Sequence, residues 1–168
     1  MGILDIYLND HLAGATTGTE LARRMAGEHG DTELGGELKT LAVEISRDRQ
    51  HLLRLLGDLD VAVSRYKMYG AWLGEKIARA KPNGRLLRRS PLTPLVELEA
   101  LRVGVQGKAL LWRALLAASA GEPRLDPDWL RQLLERAEQQ LRTLDALHAR
   151  AATTLSAAPP RTTTDAPG

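Results

Sequence analysis

Leucine, isoleucine, valine and alanine recur along this chain at intervals of three and four residues, and nowhere in sustained alternation with polar residues. That period is the repeat of a helix with one apolar face, so the pattern predicts helices and no sheet. The first stripe runs through Leu4, Leu8, Leu12, Ala15, Thr19 and Ala22 and predicts a helix over 4–28. Gly14 and Gly18 weaken it locally, while their small size lets a neighbouring helix approach closely. The second stripe, Leu34, Leu38, Leu41, Ile45, Leu52 and Leu55, predicts a helix over 32–56. A single residue, Asp48, breaks it.

A third helix is expected over 61–81, with Val63, Tyr66, Gly70, Leu73 and Ile77 on one face, stopped by Pro82-Asn83-Gly84. Ser90 and Pro91 read as the cap and first residue of a fourth helix reaching Ala118, with Leu98, Leu101, Val105, Trp112 and Leu115 turned inward. Asp126 and Pro127 open a fifth in the same way, with Leu130, Leu133, Ala137, Leu141, Leu144 and Ala151 as its stripe to Thr154. The connections are short, which makes sequential helices antiparallel neighbours. The expected fold is therefore all-α, an antiparallel bundle of about five helices over 1–155. The stretch 156–168 is polar and proline-rich, holds nothing to pack, and is expected to be disordered.

Composition removes several classes of chemistry. With 168 residues the chain is long enough to bury a core unaided, and with no cysteine it has no disulfide, thiolate metal site or thiol nucleophile. Phenylalanine is absent too, so aliphatic side chains must fill the interior. A net charge of +2, with acids and bases interleaved, reads as a solvated surface and not as a nucleic-acid footprint. The basic run from Arg79 to Arg89 has the form of a helix C-terminus and a solvated loop. The N-terminus lacks the basic and apolar regions of a signal peptide, and the longest apolar run, Ala109 to Ala120, is interrupted by Arg113 and too short to span a bilayer. A cytoplasmic location without membrane contact is the expectation.

In a helix bundle, chemistry sits where polar side chains face inward. His11 lies between Leu8 and Ala15 near the inner face of the first helix. Asp48 stands where the second stripe asks for leucine, flanked by Glu44 four residues before and His51 three after. Asp48-x-x-His51 projects two groups from one face, as two metal ligands on one helix must be placed. Asp145-x-x-His148 repeats the spacing on the last helix, and Glu97 and Glu99 lie level with it near the start of the fourth. The metal candidates are His11, Glu44, Asp48, His51, Glu97 and Glu99. The competing reading is a buried polar network in which Asp48 is neutralised by a histidine, by Lys108 or by an arginine reaching inward. No phosphate-binding glycine loop, nucleophile elbow or Ser/His/Asp set at recognisable spacing is present.

Tyr7-Leu-Asn-Asp-His-Leu-Ala-Gly14, Glu44-Ile-Ser-Arg-Asp-Arg49 and Arg89-Ser-Pro-Leu-Thr-Pro-Leu-Val-Glu-Leu-Glu99, with the order of the helices, resemble bacterial members of the ferritin-like superfamily over about residues 4–155. The resemblance implies a ferritin-like bundle. In the di-iron members, two helices each carry a lone Glu and the other two carry Glu-x-x-His. This chain has no Glu-x-x-His, and its second helix reads Glu44-x-x-Arg47 where that motif is sought. The expected function is accordingly a non-catalytic structural or interaction protein without a cofactor, its partner a second copy docked through helix faces. The alternative is a metal-binding ferritin-like protein that uses iron or manganese for redox or storage work.

Overall fold

The computed structural model describes residues 2–30, 32–64 and 92–156. Among them are four long helices and no strand: α1 (Ile3–Glu28), α2 (Gly35–Asp58), α3 (Thr93–Ala118) and α4 (Pro127–Ala152), with a 3₁₀ turn at Thr153–Ser156. Most of the expected 61–81 helix, the basic run 79–89 and the tail beyond Ser156 lie outside the described residues, so four of the five expected helices are seen. None of the four is long and apolar enough to cross a membrane.

Local chemistry sets the helix ends. The Asp126 carboxylate accepts from the backbone N–H groups of Asp128 (2.9 Å) and Trp129 (3.2 Å), the cap expected there. The expected cap Ser90 and first residue Pro91 lie outside the described residues; α3 is described from Thr93, with Pro94 in its first turn where no intrahelical donor is lost. Helix α2 starts at Gly35, three residues later than expected. Thr32 instead closes a turn, its N–H and hydroxyl both donating to the His29 carbonyl at 2.9 and 2.8 Å. Gly35 is required in that turn, because a Cβ there would lie 2.2 Å from the His29 carbonyl oxygen.

The end of α2 corrects a second expectation. Asp60 adopts a left-handed conformation (φ 56), and the N–H groups of Asp60 and Val61 bond back to Gly57 (3.1 Å) and Leu56 (2.8 Å). This is a Schellman stop with aspartate in the place usually taken by glycine. A helix therefore does not begin at Val61. Residues 61–64 run without helical bonding, and buried Asn9 holds them. Its amide donates to the Ala62 carbonyl (3.1 Å) and its oxygen accepts from the Ser64 N–H (2.9 Å).

Helices α1 and α2 form one antiparallel hairpin, α3 and α4 another, and α1 packs on α3 while α2 faces α4. Ser64 is held near the start of α1, whereas Glu97, one turn into α3, bonds Arg24 near the end of α1 (2.9 Å). Ser64 and the start of α3 thus lie at opposite ends of the bundle, and α2 and α3 run the same way.

The core divides into two apolar halves. One gathers Leu8, Leu12, Leu52, Leu55, Trp112 and Leu133 with their neighbours; the other gathers Met25, Leu38, Leu41, Leu98, Leu101 and Leu147 with theirs. Three helices cross between them at the same step of their repeat: Ile45-Asp48-Leu52, Val105-Lys108-Trp112 and Ala137-Gln140-Leu144. The middle layer of the bundle is polar.

Candidate functional site

Helix α2 carries Glu44, Asp48 and His51 on successive turns, α4 supplies Arg136 and Gln140, and α3 supplies Lys108. Asp48 is 1% exposed, and both of its oxygens are taken. Oδ2 accepts from the Lys108 ammonium (2.6 Å) and the Gln140 amide (3.0 Å), and Oδ1 accepts from the Arg136 guanidinium. Gln140, equally buried, turns its oxygen to Lys108 and shares its amide with Glu44 (3.2 Å), so its orientation is fixed. Arg136 also lies 3.4 Å from His51 Nδ1. A guanidinium can only donate, so that nitrogen accepts and the ring is neutral with its proton on Nε2. The His51 ring stands edge-on to Trp129, with ring centroids 5.8 Å apart.

The electrostatics follow from this geometry. Burial pushes the Asp48 carboxyl up, but Lys108, Gln140 and Arg136 together outweigh it and hold the group below the usual carboxylate range. Burial lowers Lys108, with Asp48 pulling the other way. Burial and then the Arg136 charge lower His51, and burial lowers His11 against the pull of Asp10. An aspartate held ionised against two cations is a weak base, because protonating it would leave both cations without their counter-charge. The layer fixes register: sliding one helix by a residue would strand a charge inside the bundle.

Sequence reading brought Glu44, Asp48 and His51 together on α2, and Lys108 is among the partners it anticipated. The remaining candidates go elsewhere. Glu97 pairs with Arg24 at 2.9 Å. Glu99 meets His148 at 3.0 Å, and Asp145 is held by Arg102 at 2.5 Å, so Glu99 does lie level with the Asp145-x-x-His148 pair, as expected. His11 stands edge-on to Tyr7 with ring centroids 4.6 Å apart. Along α1, Thr16 bonds Arg49 (2.9 Å) and Arg23 bonds Ser46 (3.0 Å), which puts Asp48 level with the stretch between Thr16 and Arg23, beyond His11. Among the described residues, no three histidines or carboxylates gather as a metal-holding group, and Asp48 has already spent its oxygens on protein cations. The donor set therefore does not fit the di-metal centre of ferritin-like enzymes.

Arg136 and Gln140 escaped sequence reading, although Gln140 had a signal. The buried series on α4 is Leu130, Leu133, Ala137, Gln140, Leu144, Leu147 and Ala151, alternating steps of three and four, with Gln140 as its one polar member. A second concavity lies between α1 and α3. It has a volume of about 550 Å³ and is lined by Gly14, Gly18, Gly104 and Gly107 among mostly aliphatic side chains, with His11, Lys108 and Trp112 also on its wall. No family model, no curated protein and no solved structure matches this chain.

Proposed function

We propose that this chain is a non-catalytic bundle of the ferritin-like kind that acts structurally, through self-association. The observation that carries this reading is the occupant of the bundle centre. Ferritin-like di-iron proteins set carboxylates and histidines around metal there. Here Lys108 and Arg136 stand against Asp48 as built-in cations. Chain order supports the reading too, since one long connection between two hairpins is the ferritin-like arrangement and here Ser64 and the start of α3 lie at opposite ends of the bundle. Support for self-association comes from apolar side chains left in solvent at one end, Ile3 (90% exposed), Ile6 and Val63, and from Val43 on α2.

Metal analysis and light scattering on protein purified without chelator test both halves. The expected result is well under one equivalent of iron, manganese or zinc and a mass above that of one chain. Stoichiometric metal that disappears in His51→Ala, or a monomer at all concentrations, overturns the reading.

A further inference from the structure

Gly14 and Gly18 on α1 face Gly104 and Gly107 on α3 across the groove between these helices. Glycine inside a helix costs stability relative to alanine, and a Cβ at any of the four would meet no atom of the described residues within 4 Å. Tight packing of the described helices therefore does not demand glycine at these positions. What the glycines do is keep a groove of about 550 Å³ open, a volume within the range of small-molecule sites.

The walls are aliphatic, with Leu21, Leu101, Val103, Val105 and Leu111 among them. Two residues on the wall have donor capacity left over among the described residues. Trp112 is 1% exposed and its indole N–H has no hydrogen-bond partner among the described residues, an arrangement that is costly unless something supplies one. Lys108 has three N–H groups, of which Asp48 and Gln140 take two. Of the acids along the groove, Asp48 is neutralised by its cations and Glu99 faces His148, while Asp10 sits beside His11. The groove thus offers an apolar trough with hydrogen-bond donors along it, complementary to an apolar chain that ends in an acceptor.

We infer that the α1–α3 groove is a binding site for a fatty-acyl ligand, its hydrocarbon lying over the glycines and its carboxylate or ester carbonyl accepting from Trp112 and Lys108. This assignment is independent of self-association, which draws on other surfaces. Calorimetric titration of the full chain with dodecanoic acid, with dodecylamine as a control, tests it. The wild type should bind one equivalent of the acid and bind the amine at least about tenfold more weakly, because an ammonium head cannot accept. Trp112→Phe keeps the ring, loses the N–H and should weaken acid binding about tenfold. Gly18→Leu fills the groove and should abolish binding without lowering the melting temperature, since helix propensity improves and a side chain has room.

No acid binding by the wild type, equal binding of amine and acid, or undiminished binding by Trp112→Phe each overturns the assignment. So does a Gly18→Leu protein that melts earlier or changes mass. That outcome would mean that another part of the chain or a second copy fills the groove.

Discussion

The Lys108 ammonium lies 2.6 Å from the Asp48 carboxylate in the middle of the bundle, with the two side chains 12% and 1% exposed. They come from α2 and α3, one helix of each hairpin and running the same way, so this bond ties one hairpin to the other across the diagonal. Breaking a buried pair from one side strands a charge and costs about 3–5 kcal/mol, whereas replacing both members by apolar groups of similar volume costs far less. Asp48→Leu should therefore destabilise the fold clearly. Adding Lys108→Met should recover part of the loss, because Arg136, the remaining cation, is 36% exposed and can turn to solvent. Urea denaturation of the two single variants and the double variant checks this. Simple additivity of the two changes would remove Lys108 as the operative partner.

Two neighbouring glycines make opposite demands. A Cβ on Gly35 would sit 2.2 Å from the His29 carbonyl oxygen, in backbone that cannot yield without opening the α1–α2 turn. One residue later, a Cβ on Gly36 meets no atom of the described residues within 4 Å. Gly35→Ala should lower stability by about 2 kcal/mol or more, as strained overpacking does. Gly36→Ala should raise it by about 0.5–1 kcal/mol through helix propensity. Thermal melts of the two variants against the parent separate these effects. Equal shifts would mean that the turn is not held as described.

Much of the bundle was legible because an aliphatic stripe at steps of three and four has one physical solution, a helix with that stripe buried. Asp48 stood out because it breaks such a stripe, and Lys108 was found by asking what could neutralise it. Gln140 was legible in principle, being the sole polar member of the buried series on α4. Arg136 was not: it lies beside the stripe rather than in it, and only a long side chain folding back toward Asp48 brings its guanidinium in. The early start assigned to the third helix failed for a similar reason. Nothing local to Val61 forbids a helix, but Asn9, distant in sequence, captures the backbone at Ala62 and Ser64. The groove was invisible because Gly14 and Gly18 looked like sites of close helix approach, whereas a Cβ there meets no atom of the described bundle.

Acid should weaken the fold in two separate stages, and the signs follow from the shifted groups. His11 and His51 have their folded-state affinity for protons lowered from the ordinary value of 6.5, in both cases chiefly by burial. The unfolded chain then binds more protons than the folded one below that value, so stability is fully present above about pH 6.5 and falls as pH drops through the folded values. Asp48 is lowered from 3.8, because its cations and Gln140 outweigh its burial, so its contribution persists to lower pH and is lost only as pH falls below 3.8 through the folded value. The first stage should be modest, since both rings keep contact with solvent that screens them. Urea midpoints measured at about pH 7.5 and about pH 5.5 should differ in the wild type, with the lower value in acid. In the double variant His11→Gln and His51→Gln that difference should shrink, while the steeper loss below about pH 4 should remain, because it belongs to Asp48 and its cations. If the double variant loses as much stability as the parent over the upper interval, the histidines are not held neutral by the fold, and the acceptor role assigned to His51 Nδ1 toward Arg136 fails with them.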